Sequence, residues 1–260
     1  MLQQLKEIMV GAGRLMTSVQ DAAVHRKEGH FNFVTDMDVK VQEYLRERLL
    51  ALLPGSVLFA EEQENQQLDD RPTWVVDPID GTVNYMRGRR CSSVSVALLE
   101  ERQPTLAAVY DPYSNELFTA QAGKGCWCND QPVHVSDVPF ERALVTFGTS
   151  PYEPHLARQG MQAACAMLLA AGDLRRSGSA AIDLAWVACG RSEVFFEMVL
   201  APWDYAAGAL LVQEAGGQTL QPLSDRFDYG QSACILAGNP PCLEASLPII
   251  LKAASGQLEV

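Results

Sequence analysis

The most informative stretch of the chain reads Trp74-Val-Val-Asp77-Pro78-Ile79-Asp80-Gly81-Thr82-Val-Asn84. An apolar run typical of a strand leads into two aspartates, and Gly81 and Thr82 follow as the predicted opening of a helix. Pro78 fixes its own backbone and biases Asp77 towards an extended conformation, so the turn is expected to be rigid. The sequence therefore predicts two carboxylates held close together where a strand ends.

Two carboxylates at such a distance repel each other unless a proton or a divalent cation lies between them. The helix opening that follows offers backbone N–H groups and the positive end of a helix dipole, which together bind anions. A metal site beside an anion site is typical of phosphate chemistry. The alternative is purely structural, with Asp80-Gly81 as a surface turn and Asp77-Pro78 as the entry to a loop.

Acidic residues lie at two further predicted element boundaries. Glu61 and Glu62 follow the apolar run at 57–60, although an acidic pair before a polar segment is also typical of a solvated surface. Asp204 opens a predicted helix whose small residues at 206–208 allow another backbone to approach closely. The structural alternative for Asp204 is a first-turn carboxylate that only stabilises the helix dipole.

The periodicity along the chain predicts a layered protein. The first part is predicted to form two helices over residues 2–25 and 36–53, the second capped by Thr35. Strand-like runs bounded by turn residues follow at 57–60, 74–76, 93–99, 106–110, 117–120 and 143–147. The remainder alternates between predicted helices near 155–171, 180–189, 203–215 and 241–253 and short strands near 173–176, 193–197 and 234–237. Such alternation indicates helices packed on the faces of a sheet, in an α/β or α+β protein.

The composition excludes several classes of protein. The chain has 260 residues with 20 basic and 32 acidic side chains, and a net charge of −12 argues against a nucleic-acid-binding surface. Its apolar runs fall short of the roughly 18 to 20 residues that a membrane span needs. Seven scattered cysteines do not form a disulfide framework, so a reducing cytoplasm is expected. The spacing of Cys126-Trp-Cys128 is shorter than that of usual zinc ligands, which favours free thiols.

Together these segments resemble the inositol monophosphatase family of magnesium-dependent, lithium-sensitive phosphatases. The resemblance runs in order through Val34-Thr-Asp-Met-Asp38, Glu61-Glu62, the segment from Trp74 to Thr82, Gly178-Ser-Ala-Ala181, Trp203-Asp204-Tyr-Ala-Ala-Gly208 and Glu214-Ala-Gly-Gly217. It implies a five-layer α-β-α-β-α sandwich that is commonly dimeric. It also implies an N-terminal α+β half over residues 1–147, a C-terminal α/β half over residues 148–260, and a metal site between them.

The resemblance also implies roles for individual residues. Two or three Mg²⁺ are expected among the carboxylates of Glu61, Asp77, Asp80 and Asp204 and the backbone carbonyl of Ile79. Thr82, supported by Asp38, is expected to orient the attacking water, with Glu61 and Asp77 also catalytic. The N–H groups of Gly81 and Thr82 are expected to hold the phosphate. The predicted substrate pocket further includes Asp204, Glu197, Ser177, Gly178, Ser179 and Ala180. For Asp38 the alternative role is to cap the second helix.

The implied activity is hydrolysis of inositol monophosphate or a similar small polyol or sugar phosphate. A carboxylate at Glu197 suits sugar hydroxyls and repels a second phosphate, which weighs against a bisphosphate nucleotide. Arg87, Arg89 and Arg90 lie where the family usually has a less basic loop. Because guanidinium groups suit phosphates, a 3′(2′),5′-bisphosphate nucleotidase or fructose-1,6-bisphosphatase-like activity stays open, as does a merely solvated loop. Lys27 is expected in a segment near the metals.

A hypothesis of a different class is a non-catalytic interaction protein, because some members of the family bind the transcription machinery. Loss of a metal carboxylate would be the sequence mark of such a role, and none of the four is missing. The expected partner is therefore a small phosphate monoester, with a second copy of the chain as the expected macromolecular partner and neither nucleic acid nor membrane.

Overall fold

The computed structural model describes residues 1–18, 24–26 and 33–258. Within these ranges the chain forms two mixed sheets, a two-stranded ribbon, two short 3₁₀ turns and seven α-helices. The helices are α1 (Leu2–Met16), α2 (Asp36–Leu52), α3 (Thr82–Met86), α4 (Ala157–Ala170), α5 (Ala180–Ala188), α6 (Pro202–Glu214) and α7 (Pro240–Ala254). The ribbon pairs β1 (Val24–Arg26) with β2 (Phe33–Thr35) in antiparallel fashion.

The large sheet has seven strands in chain order, of which only the first pair is parallel. Its strands are β3 (Val57–Ala60), β4 (Thr73–Asp80), β5 (Ser93–Glu100), β6 (Gln103–Asp111), β7 (Glu116–Gln121), β8 (Gly125–Cys128) and β9 (Gln131–Val133). The small sheet has the order β11-β10-β12-β14-β13. Its strands are β10 (Leu144–Phe147), β11 (Asp173–Arg175), β12 (Val194–Leu200), β13 (Gln218–Leu220) and β14 (Ala233–Gly238).

The two sheets and three helical layers stack as a five-layer sandwich. Helices α1 and α2 cover one face of the large sheet, and α5 and α6 lie between the two sheets. Helices α4 and α7 cover the other face of the small sheet. Each layer buries its apolar side against the next, which is the physical reason for stacking. The predicted α-β-α-β-α fold is confirmed.

Helix α2 begins at the residue that the sequence indicates. The Thr35 hydroxyl accepts hydrogen bonds from the N–H groups of Met37 and Asp38, at 3.2 and 3.3 Å. In return the Asp38 carboxylate accepts from the Thr35 N–H at 2.8 Å. This reciprocal capping box satisfies donors that have no partner inside the helix, so the predicted cap is confirmed.

The first helix is shorter than predicted. The pattern indicates a helix over residues 2–25, but α1 ends at Met16 and Val24–Arg26 form a strand. The Thr17 hydroxyl donates to the Gly13 carbonyl at 2.9 Å, and the Ser18 hydroxyl donates to the Leu15 carbonyl at 2.7 Å. Such side chains satisfy the last carbonyls of a helix and so compete with its continuation.

The division of the chain into halves at residues 147 and 148 stays a prediction. Strand β10 lies before that point but pairs with β11 and β12, so the chain enters the small sheet before residue 148. The middle layer also joins the two halves, because Tyr205 of α6 belongs to the same apolar cluster as Val75 and Phe118 of the large sheet. We retain the two halves as a proposal, with a shared core between them.

Candidate active site

A cavity of about 430 Å³ opens where β4, the start of α5 and the start of α6 meet. Seven carboxylates and a single basic residue, Arg176, lie among its described lining residues. Neither histidine nor cysteine is among them. The cavity therefore offers oxygen ligands almost exclusively, which are the ligands that hard divalent cations prefer.

Asp77 and Asp80 lie at the carboxyl end of β4, in the predicted stretch. In a regular strand, residues three apart point to opposite faces of the sheet. Here the pairing with β5 shifts register between Asp77 and Asp80, around Pro78, which has no N–H to donate to the sheet. This irregularity allows both side chains to reach the same site. There, three carboxylate oxygens, one each from Asp77, Asp80 and Asp204, lie within 4.8 Å of one another.

Asp204 joins this group from the other half of the chain. It lies in the first turn of α6, which begins with Pro202, and its Oδ2 accepts from the Ala201 N–H at 2.9 Å. The start of the helix therefore fixes the orientation of the side chain. Asp204 therefore stabilises the start of α6, as the structural alternative predicts, and also lies beside Asp77 and Asp80.

The acidic cluster is electrostatically costly without a counter-charge. Burial raises the pKa of Asp77 well above its ordinary value, and the charges of Glu61, Asp80 and Asp204 raise it further. Burial likewise raises the pKa of Asp80 to about 6, against hydrogen bonds that lower it. Burial also raises the pKa of Asp204, and the charges of Asp80 and Glu61 raise it further. Protons or cations are needed to compensate such a cluster, and the donor set fits Mg²⁺.

Glu61 and Ile79 lie beside the three aspartates. Glu61 directly follows β3, which runs parallel to β4, so both strands present acids at the same edge of the sheet. It lines the cavity together with Ile79. The Ile79 carbonyl accepts from the Thr82 hydroxyl at 3.1 Å, and its second lone pair is available to another ligand.

Thr82 and Asp38 are brought together from distant parts of the sequence. The Thr82 hydroxyl lies 3.4 Å from Oδ1 of Asp38, whose other oxygen caps α2. Asp38 can thus both cap α2 and support Thr82, because its two oxygens face different partners. Both side chains are buried.

Gly81 is required by the backbone at the opening of α3. Its backbone φ is +86°, a value that residues with a side chain rarely adopt. A Cβ at this position would also lie 3.0 Å from the Gly178 carbonyl oxygen and 3.1 Å from that of Cys91. Gly81 and Thr82 line the cavity at a helix start, where the N–H groups have no partner within the helix.

The loop before α5 approaches the same aspartates. Gly178, Ser179 and Ala180 line the cavity as expected from the resemblance. The Ser179 hydroxyl and the Ala181 N–H both donate to Oδ2 of Asp80, the latter at 2.9 Å. Ser177 is not among the lining residues, but its hydroxyl accepts from the Ser179 N–H at 3.0 Å.

Glu197 lies on β12 and lines the same cavity. Its Oε1 accepts from the Ser150 N–H at 2.6 Å, and its side chain is buried. Burial raises the pKa of Glu197 to about 7. Glu197 is thus a buried carboxyl group in the cavity wall, and its role in substrate recognition stays a prediction.

The basic residue of the cavity differs from those that the sequence suggested. Arg87, Arg89 and Arg90 are exposed and do not line the cavity. Arg176 does, and its guanidinium donates to the Thr149 hydroxyl oxygen at 3.3 Å. The only available signal was its place directly before Ser177-Gly178. The expectation for Lys27 lies outside the described residues.

The layered fold and the acid-lined cavity define an α/β sandwich with a candidate site for divalent metal ions. The family model described as "Inositol monophosphatase family" matches residues 2–255, and the chain belongs to this family. The family and the fold implied by the sequence are therefore confirmed.

Two relatives and one solved structure illustrate the similarity. The chain is 36% identical to the Nus factor SuhB of Xylella fastidiosa over 265 residues, covering 96% of this chain and 95% of the relative. It is also 36% identical to inositol monophosphatase 1 of Solanum lycopersicum over 233 residues, covering 85% and 83%. The inositol monophosphatase structure from Anabaena (Nostoc) superposes with a TM-score of 0.85 at 30% identity, covering 96% of this chain and 95% of that one.

Proposed function

We propose that the protein is a Mg²⁺-dependent phosphomonoesterase that hydrolyses inositol monophosphate or a similar small polyol or sugar phosphate. The observation that carries this proposal is the convergence of three aspartate oxygens within 4.8 Å, from β4 and from α6, in the wall of one cavity. The family membership and the relative named inositol monophosphatase 1 support it.

Two or three Mg²⁺ would be held by the carboxylates of Glu61, Asp77, Asp80 and Asp204 and the carbonyl of Ile79. When bound, such ions neutralise phosphate oxygens, lower the pKa of a water molecule and stabilise the leaving oxygen. The protein's contribution is to hold these ligands rigidly, since β4 and the first turn of α6 fix their orientation.

Thr82 would orient the attacking water. The single proton of its hydroxyl is directed to the Ile79 carbonyl at 3.1 Å or to Asp38 at 3.4 Å. An oxygen lone pair of Thr82 is then left to accept a hydrogen bond from the attacking water, with the Asp38 carboxylate supporting this polarity. The N–H groups of Gly81 and Thr82 at the opening of α3 would donate to the phosphate oxygens. Phosphate and water are thereby held in a fixed relation.

Glu197 would select the alcohol part of the substrate. A buried carboxylate accepts hydrogen bonds from two or more hydroxyl groups, which a polyol supplies and a simple aryl group does not. The walls at Gly178, Ser179 and Ala180 would complete the pocket through their backbone and hydroxyl groups.

The test is release of inorganic phosphate from inositol 1-phosphate, measured with Mg²⁺ and after exhaustive chelation. Activity is expected only with the metal. Asp77→Asn is expected to lose more activity than the roughly 10–100-fold that changes behind the metal ligands cause. Asp69→Asn is the matched control, because that exposed carboxylate pairs with Arg71 outside the cavity. Undiminished turnover after chelation would contradict the proposal.

The first alternative is a bisphosphate substrate. The basic group that could bind its second phosphate is Arg176. Its guanidinium is the one basic group among the described residues of the cavity wall, and it partly offsets the charge of Glu197. The same phosphate assay with 3′-phosphoadenosine 5′-phosphate and fructose 1,6-bisphosphate decides this point. A higher kcat/KM for either compound than for inositol 1-phosphate would favour the alternative.

The second candidate is an interaction with the transcription machinery, with or without catalysis. The similarity to a relative named Nus factor SuhB over nearly the whole chain favours it. Co-elution with RNA polymerase in the absence of phosphate release from any of the three substrates would support a non-catalytic role. Retention of binding by Asp77→Asn would show that the two properties are separate.

We also propose a homodimer, as the family resemblance implies, and a cytoplasmic location, as the scattered cysteines indicate. Light scattering is expected to give twice the chain mass of 28.4 kDa. All seven cysteines are free, which is consistent with a reducing compartment. In the part of the chain that the structure describes, no helix combines the length and apolarity that a membrane crossing requires.

A further inference from the structure

Asp183 is a buried acid for which the proposed mechanism has no use. It lies in the first part of α5, where all other side chains are apolar, and only 1% of it is exposed, although it belongs to the cavity lining. Ser179 already caps this helix, so the helix start does not need a second polar group. Burying a carboxyl group among apolar side chains is costly unless it has specific partners.

One oxygen of Asp183 has such a partner and the other does not. The Ser177 hydroxyl donates to Oδ2 at 2.6 Å. Oδ1 is buried and has no hydrogen-bond partner within residues 1–18, 24–26 and 33–258. Among the described residues, the hydrogen bond from Ser177 and the nearby charge of Arg176 therefore offset the cost of burial.

Ser177 connects Asp183 to the acidic cluster. Its hydroxyl donates to Asp183 and accepts from the Ser179 N–H at 3.0 Å. The Ser179 hydroxyl in turn donates to Oδ2 of Asp80, and Asn84 holds the Ser177 carbonyl at 3.0 Å. A continuous series of hydrogen bonds thus runs from Asp183 through two serines to a candidate metal ligand.

We propose that Asp183 is a positioning residue that fixes the orientation of Asp80 through Ser177 and Ser179, and that the affinity for Mg²⁺ depends on it. The proposal rests on the proposed metal-dependent function. Hydrogen bonds behind the ligands orient the ligand atoms, and their loss typically lowers metal affinity 10–100-fold. Because Oδ2 of Asp80 takes both the Ser179 hydroxyl and the Ala181 N–H, the carboxylate has one defined rotation about its side chain.

The decisive substitutions are those that remove or keep the hydrogen bond from the Ser177 hydroxyl to Asp183. Asp183→Ala removes the acceptor, and Ser177→Ala breaks the same contact without touching the buried acid. Asp183→Asn keeps a carbonyl oxygen in the same place, so it is expected to preserve the series of hydrogen bonds. Val187→Ala is the matched control, because it removes buried volume from the same helix away from the serines.

The measurement is the Kd for Mg²⁺ by calorimetry, with Tb³⁺ luminescence as a second probe that needs no turnover. Asp183→Ala and Ser177→Ala are expected to raise the Kd by roughly 10–100-fold, whereas Asp183→Asn and Val187→Ala stay close to wild type. An unchanged Kd in Ser177→Ala, or an Asp183→Asn variant as impaired as Asp183→Ala, would overturn the positioning role. Wild-type protein that binds neither ion would overturn the metal-dependent function itself, and the positioning role with it.

Discussion

At the scale of single residues, Glu197 and Gly148 depend on each other. A Cβ on Gly148 would collide with the Glu197 carboxylate, which is buried and held by Ser150. Gly148→Ala is therefore expected to displace this carboxylate from the cavity wall. Steady-state kinetics are expected to show a loss of roughly tenfold or more in kcat/KM with inositol 1-phosphate and a smaller loss with an aryl phosphate, because a mispositioned acceptor loses hydrogen bonds to the polyol.

Gly160→Ala is the control for that substitution. A Cβ there would lie 3.5 Å from Cγ of Met198, an ordinary contact, and Gly160 is inside helix α4. Alanine is expected to stabilise the helix by up to about 1 kcal/mol and to leave the kinetics unchanged. Equal losses on both substrates in Gly148→Ala would contradict a role of Glu197 in substrate recognition.

The raised pKa of Glu197 predicts a pH-dependent cost to stability. Its carboxyl group titrates at about 7 when folded and near its ordinary value of 4.5 when unfolded, so the folded state holds more protons between these limits. Stability contributed by this group therefore falls as pH rises from about 4.5 to 7. Glu197→Gln keeps an acceptor for Ser150 but does not titrate. Urea unfolding is expected to show that the variant gains on wild type by about 1–3 kcal/mol across this window, and not below it.

The sequence predicts some of these residues and not others for a physical reason. Asp77 and Asp80 stand out because a strand, a proline and a glycine in immediate sequence fix their surroundings. Apart from the place of Arg176 directly before Ser177-Gly178, neither Arg176 nor Asp183 is distinguished by its neighbours in sequence. Their contacts arise only when the loop before α5 and the helix itself fold against the cavity. Arg87, Arg89 and Arg90 show the converse, because a local basic pattern lies outside the cavity.

At the scale of elements, the close packing of α5 on α6 depends on Gly208. The small residues at 206–208 predict a close approach, and a Cβ on Gly208 would lie 2.5 Å from Cβ and Cδ1 of Leu184. Gly208→Ala is therefore expected to force the two helices apart and lower the free energy of unfolding by about 1–3 kcal/mol. Denaturant unfolding measures this, with Gly160→Ala again as the control. A stabilised Gly208→Ala variant would mean that the helix-propensity gain outweighs the overlap.

Long elements follow from periodicity, whereas short ones depend on distant partners. Helices such as α2 and strands such as β5 were predicted within a few residues. The four-residue strands β3 and β10 were also predicted, because each is filled by apolar or β-branched residues. The ribbon strands β1 and β2 and the strands β8, β9 and β13 were not, because their three or four residues include polar residues or glycine and carry too little pattern. The turn between β7 and β8 shows what fixes such strands: three successive N–H groups at 123–125 donate to the carboxylate of Glu214, at the end of α6.

At the scale of the whole molecule, the candidate metal ligands join the two proposed halves. Asp77 and Asp80 belong to the large sheet, Asp204 belongs to the middle layer, and the two layers share one apolar core. A single cooperative unfolding transition is therefore expected in calorimetry, with equal calorimetric and van't Hoff enthalpies. Mg²⁺ at about 100 times its Kd is expected to add about 2.7 kcal/mol for each bound ion, because only the folded chain assembles the ligands.

Asp204→Asn distinguishes stabilisation by Mg²⁺ bound at this site from the general effect of salt on stability. The amide keeps an oxygen for the Ala201 N–H, so the helix start is retained, but it removes one negative charge from the cluster. The Mg²⁺-dependent rise in stability is expected to shrink in this variant, while the metal-free protein becomes more stable because less repulsion is left to compensate. Two separate transitions, of which Mg²⁺ shifts only one, would instead mean that the halves fold independently and that the metal ligands all come from one of them.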